Sequence, residues 1–149
     1  MTLYDMDPLS IIASSLALIT AAKATCDFIA KVADAPKALK SAKDNTDMTI
    51  SIVQALKTYL SDQSESALSG ANQLLHVLDA CTKRCDTFQV LLRDCSKHSV
   101  DRTDGKLSLR DRGKLVIKEK ELEDFRKDMA CFHGALNVAA IPLLLYELH

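Results

Sequence analysis

The sequence has no tryptophan, and only four glycines and three prolines among its 149 residues. Glycine and proline make the tight turns of sandwiches and barrels, so this supply excludes a protein built from many short strands. With no tryptophan and 5% aromatic residues overall, the stacking platforms that hold single-stranded nucleic acid are missing as well. Nor is one sign of charge in excess. Nineteen Lys and Arg stand against 20 Asp and Glu, a formal −1, which removes the global positive field of a general nucleic-acid binder. Nucleic acid is therefore not an expected partner. Glycine-rich phosphate loops, His-Glu-x-x-His, Cys-x-x-Cys and Gly-x-Ser-x-Gly patterns are also absent. No enzymatic activity, cofactor or metal is expected.

What the chain does have is apolar side chain, 48% of all residues, with Ala, Leu, Lys and Asp abundant. That composition suits one all-helical domain spanning residues 1–149, with enough greasy surface for a single core. Five cysteines, at 26, 81, 85, 95 and 131, are odd in number and sit inside apolar periodic runs, which argues for a reducing, cytoplasmic setting over a secreted disulfide framework. The N-terminus is acidic where a signal peptide would be basic. The uncharged stretch near the N-terminus, residues 8–22, has 15 residues. That falls short of the ~20 that a spanning helix needs.

Asp7 as N-cap, Pro8 at the first helical position and Met6 stapled onto Ile11 announce a first helix, expected to run to about Ala33. Leu9, Ile12, Leu16 and Ile19 mark one face and Ile11, Leu18, Phe28, Ile29 and Val32 another, so the helix is apolar nearly all round. Such a helix is expected to be enclosed by protein or by lipid. Asp34-Ala-Pro36 breaks it, and a second helix is predicted to Ser61 with Leu39, Ile52, Val53, Leu56, Tyr59 and Leu60 as its core side. A polar connection over residues 61–66 leads to a long third helix carrying Leu68, Leu74, Leu78, Cys81, Cys85, Phe88, Leu92 and Cys95. Rods of that length predict an elongated bundle.

Residues 97–113 form the one polar, turn-rich stretch and are the expected mobile loop, as residues 1–5 are the expected flexible start. Ser108 followed by Asp111 resembles a capping box, so a fourth helix starts there or after Gly113, burying Leu115, Leu122, Phe125, Met129 and Phe132. A last apolar run over residues 135–146 should kink or end near Ile141, ahead of Pro142.

The sharpest candidate for chemistry is Cys81, Cys85, Cys95 and His98. Cys81 and Cys95 lie about 21 Å apart on one continuous helix, too far for one zinc, so core thiols are the expected reading. His76 and His133 are expected as structural histidines, and the alternating charges over residues 118–124 as a solvated face. Residues 97–120 hold eight Lys or Arg against four acids, while residues 1–35 hold two Lys against four Asp. A basic segment beside an apolar helix is what attachment to anionic membrane lipids uses. The candidate headgroup contacts are Arg102, Lys106, Arg110, Arg112 and Lys114.

Residues 6–22, Met-Asp-Pro-Leu-Ser-Ile-Ile-Ala-Ser-Ser-Leu-Ala-Leu-Ile-Thr-Ala-Ala, resemble the opening of the HeLo-like N-terminal domains of fungal STAND (NLR-like) receptors. Asp34-Ala-Pro-Lys37 looks like that family's break before its second helix. Residues 118–140, from Lys-Glu-Lys-Glu-Leu-Glu-Asp-Phe to Leu-Asn-Val-Ala-Ala, look like its last helix. The resemblance implies a bundle of about four helices plus a trailing helix, and a cell-death or signalling role in heterokaryon incompatibility and innate immunity. It implies self-association, partners among the other domains of such a receptor, and recruitment to the plasma membrane, where an apolar first helix permeabilises the bilayer. Leu9, Ile11, Ile12, Leu16, Leu18 and Ile19 are the candidate insertion and oligomerisation residues. Rival expectations are an adaptor bundle that never touches lipid, a regulatory domain of an enzyme or transcription regulator, and a thiol-based sensor.

Overall fold

The first helix begins at Pro8, where a missing N–H leaves no intrahelical bond unmade. The computed structural model describes residues 8–61, 71–99 and 104–147 and, among these, holds five helices and no strand. They are α1 (Pro8–Ala30), α2 (Lys37–Ser61), α3 (Ala71–Asp94), α4 (Leu109–Ile117) and α5 (Glu119–Glu147). The expected all-α bundle is therefore what forms. The cap at Asp7, the staple at Met6, the flexible start, Leu68 and residues 62–66 lie outside the described residues. α1 stops three residues before the expected Ala33, because the Ala33 N–H is drawn out of the helix to donate to the Gly105 carbonyl at 2.8 Å.

The remaining boundaries correct two expectations. The fifth helix is not a trailing one but the short α4 placed ahead of α5. And α5 does not end near Ile141, one of the two outcomes expected there, but continues through Pro142 to Glu147. Pro142 lies five residues from that end, so the N–H it lacks removes a single bond from the last turns.

α1 packs on α2 and α3, and both of these pack on α5. The four long helices thus occupy the corners of a square, with α1 and α5 diagonal to one another. The shared core contains Ile11, Leu18, Leu39, Val53, Leu78, Phe88, Leu122, Phe125 and Met129. Of the expected core side of α2, Leu39, Val53 and Leu56 are buried and Ile52 and Tyr59 are half-buried, while the Leu60 side chain is outside the description. Phe88 and Phe125 stack across α3 and α5 with ring centroids 3.7 Å apart, and the Arg84 guanidinium lies over the Phe125 ring at 5.3 Å. Polar ties fix the register. Arg84 pairs with Asp128 at 2.6 Å, Asn45 Nδ2 donates to the Arg126 carbonyl at 3.4 Å, and Gln89 Nε2 donates to the Ala21 carbonyl at 2.9 Å.

The stretch expected as a mobile loop is, in its described residues, tied down. The buried Asp111 carboxylate accepts from the His98 N–H at 3.0 Å and from the Ser99 hydroxyl. Ser99 Oγ accepts from the Ser108 N–H at 2.9 Å, and Ser108 Oγ, at the expected N-cap, accepts from the Asp111 N–H at 3.2 Å. Gly105 takes φ +73°, and a Cβ there would sit 3.2 Å from the Lys31 carbonyl oxygen, so only glycine lets this stretch of chain lie against the end of α1. Lys114 Nζ reaches the Asp94 carbonyl at 3.2 Å, satisfying the last turn of α3.

Asp34 anchors the same end from the α1–α2 turn. It accepts from the Leu107 N–H at 3.1 Å and pairs with Arg112. The Leu107 N–H, and after it the Arg112 guanidinium, hold the Asp34 carboxyl below its ordinary value of 3.8. A carboxyl lowered by folding stabilises the fold above its unfolded value and loses that contribution as pH falls through the folded one. Asp34→Asn is therefore expected to lower the melting temperature at neutral pH, and the gap to the unchanged protein should close below about pH 4. Thermal unfolding followed by circular dichroism from neutral to acid pH checks this. A gap that persists in acid would place the effect of the substitution elsewhere than in the charge.

Candidate functional site

The features with a capacity beyond folding lie on α1 and around α4. Because α1 fills a corner, half of its circumference meets protein. Ile11, Ser15, Leu18, Ile19, Ala22, Cys26 and Ile29 point inward and are buried. The opposite stripe, Leu9, Ala13, Leu16, Ala17, Thr20 and Ala24, is exposed, with Leu9 at 71% and Leu16 at 46%. Thr20 donates its hydroxyl to the Leu16 carbonyl at 2.9 Å, so this polar residue also spends its polarity inside the helix. The expectation that α1 is enclosed is thereby corrected: it is apolar nearly all round, yet among the described residues only two helices cover it. Lys23 and Asp27 continue the outer face toward its C-terminal end.

The six candidate insertion residues do not form one surface. Leu9 and Leu16 face out, Ile12 is half-buried, and Ile11, Leu18 and Ile19 belong to the core. Ala13, Ala17, Thr20 and Ala24, which complete the outer stripe, were not among the candidates. Their signal was present as small residues at i, i+4, i+7 and i+11, but periodicity cannot say which of two apolar faces is covered. By length and composition, Leu9–Ala30 with its 22 residues could cross a membrane, the charges of Lys23 and Asp27 included.

Of the candidate headgroup contacts, Arg102 lies outside the described residues, while Lys106, just before α4, and Arg110, on it, are exposed. Arg112 is exposed and engaged with Asp34, and Lys114 is half-buried against α3. The segment thus uses part of its charge to fix α4 in place. Sequence reasoning also passed over Leu109, Val116 and Ile117, large apolar residues of α4 that face water.

Cys26, Cys81, Cys85 and Cys95 are buried free thiols, and Cys131 is exposed. The neighbouring Cys85 thiol and burial push Cys81 above the ordinary thiol value, and burial does the same for Cys95. Buried thiols held protonated react slowly. In the folded protein one thiol, Cys131, should titrate rapidly with Ellman's reagent, and all five only after denaturation. Two or more rapid thiols would contradict this packing and revive the sensor reading. His76 is exposed on α3, not the packed residue that was expected, whereas His133 is half-buried with Nδ1 unpartnered among the described residues.

No curated protein and no solved structure matches the sequence. A family profile does, over residues 6–147, nearly the whole chain and including every helix described above: that of the pigment biosynthesis cluster protein PigL N-terminal domain, a fungal family compatible in fold and type with a signalling module. The chain belongs to the PigL N-terminal domain family.

Proposed function

We propose that this domain is a signalling module of the HeLo-like kind, that it works by self-association through the outer stripe of α1, and that clustering lets α1 leave its corner and permeabilise a membrane. The observation that carries this reading is the apolar stripe Leu9, Ala13, Leu16, Ala17, Thr20 and Ala24, exposed on a helix that, among the described residues, only two neighbouring helices hold. A surface helix of a protein with no partner keeps polar residues on its outer face. Burial in the bundle and burial in lipid hide the same inner residues, so the two placements of α1 differ by less than either differs from water, and clustering can tip the balance. The partners on this reading are further copies, other domains of a receptor, and anionic lipid at the plasma membrane reached from the cytoplasm. No catalytic step belongs to it.

One observation favours a second reading, an adaptor bundle in which α1 never leaves. Ile11, Leu18 and Ile29 are buried, Gln89 ties α1 to α3, and withdrawing α1 would wet the facing sides of α2 and α3. Dye release from anionic liposomes by the clustered domain separates the two. Leakage supports insertion, whereas oligomers formed through α1 without leakage assign the stripe to protein contacts alone.

A further inference from the structure

α4 carries an apolar surface that α1 does not account for. Leu109, Val116 and Ile117 are 86%, 70% and 78% exposed, higher than any buried-face role allows. At roughly 100° per residue, positions 109, 113, 116 and 117 fall in one arc about 100° wide. That arc lies opposite Asp111 and Leu115, the two buried residues through which α4 sits on the bundle. Arg110 borders the arc on one side and Arg112 on the other. The outermost row of a short surface helix is ordinarily its most polar, and here it holds three large aliphatic side chains and Gly113. Over residues 104–120 six cations stand against three acids, and one of those acids, Asp111, is buried. An apolar row pointing straight outward between cations is the pattern of a helix lying in the headgroup region of an anionic bilayer.

The geometry points to α4 as a membrane-docking wedge: Leu109, Val116 and Ile117 enter the interface of an anionic lipid surface while Lys106, Arg110 and the neighbouring cations meet its headgroups. This shares with the reading of α1 only its lipid partner, and it requires no opening of the bundle. The wedge is held ready, because Asp111, Ser108, Arg112 and Lys114 each tie α4 to another part of the same end of the molecule, Ser108 through its N–H to Ser99 Oγ. A second copy fits this face poorly. Two such surfaces would oppose cation to cation, and three side chains fall short of the roughly 800 Å² per partner of a stable interface.

The test is sedimentation of the whole chain with vesicles of phosphatidylcholine alone or mixed with phosphatidylserine. The resting monomer should bind the mixed vesicles and not the neutral ones, and binding should weaken as salt rises. Val116→Asp with Ile117→Asp should lower partitioning at least tenfold, and Arg110→Gln roughly fivefold. Both variants are on the surface and should melt as the unchanged protein does. The proposal fails if the protein ignores phosphatidylserine, if the Val116/Ile117 variant binds as well as the parent, or if that variant instead changes the oligomeric state, which would give the row to a second copy. Docking of the clustered protein without leakage removes the insertion of α1 and leaves this proposal standing. Leakage that survives the Val116/Ile117 variant with docking unchanged does the reverse.

Discussion

Leu16→Glu is expected to abolish dye release from anionic liposomes while leaving the fold intact, and Leu18→Ala, two residues on, to do the opposite kind of damage. Leu16 is 46% exposed on the water-facing side of α1, so a glutamate there keeps its hydration in the monomer and should change stability by no more than about 0.5 kcal/mol. In a membrane, or against the stripe of another copy, the same carboxylate must be stripped of water, at a translocon-scale cost of about 2.5–3.5 kcal/mol per charge at the bilayer centre. With several copies in one assembly these costs add, and leakage should fall below detection. Leu18 is fully buried between α1 and its neighbours. Its truncation leaves a cavity and should cost about 2–5 kcal/mol of folding stability. The measurements are calcein release for the first and chemical denaturation for both. Equal leakage from the Leu16 variant would show that the outer stripe is not the working surface.

Why neither of this pair could be given its side from sequence, when residues on other helices could, is a matter of what periodicity records. Pro8, the break at Asp34-Ala-Pro36 and the cap at Ser108 are local chemistry, decided by backbone rules within a few residues, and the structure places α1, α2 and α4 at those signals. Leu122, Phe125 and Met129 follow one stripe on a helix with a polar back, so their burial was legible too. α1 has two apolar faces, and nothing local distinguishes them. Only the arrangement of α2 and α3 on one side decides that Ile11 and Leu18 are core and Leu9 and Leu16 are not. The segment ahead of α5 was only half legible for a related reason. Gly113 left two starts open, at Ser108 or after the glycine; a Cβ there would meet nothing, so the glycine marks an open surface, and α4 starts at Ser108 and runs through it. The bonds that hold residues 104–114 come from Ala33, Asp34, Asp94, His98 and Ser99, distant in sequence and invisible to a windowed pattern.

Phe125→Ala should be the most damaging single truncation in the interior, lowering stability by about 3–5 kcal/mol. Phe125 and Phe88 are among the largest fully buried side chains, and together they fill the seam between α3 and α5. Their rings lie nearly parallel, 1° apart in plane and 3.7 Å between centroids, an arrangement less favourable electrostatically than an offset or edge-on pair. The Arg84 cation over the Phe125 ring at 5.3 Å counters this by drawing on the negative face of the ring, and Asp128 holds the guanidinium there. Removing the ring therefore takes away its buried area, the stack and the seat of Arg84 at once. Against a typical domain stability of about 5–15 kcal/mol, and at about 2–4 °C per kcal/mol for a chain of this size, the melting temperature should drop by roughly 10 °C. Phe125→Leu keeps most of the volume and loses the stack and the cation contact. Placed between the parent and Phe125→Ala in urea denaturation, it reads how much of the loss is aromatic and how much is cavity. A loss under about 1 kcal/mol for Phe125→Ala would mean that α3 and α5 do not meet through this pair, and the square of helices that leaves α1 at a corner would have to be redrawn.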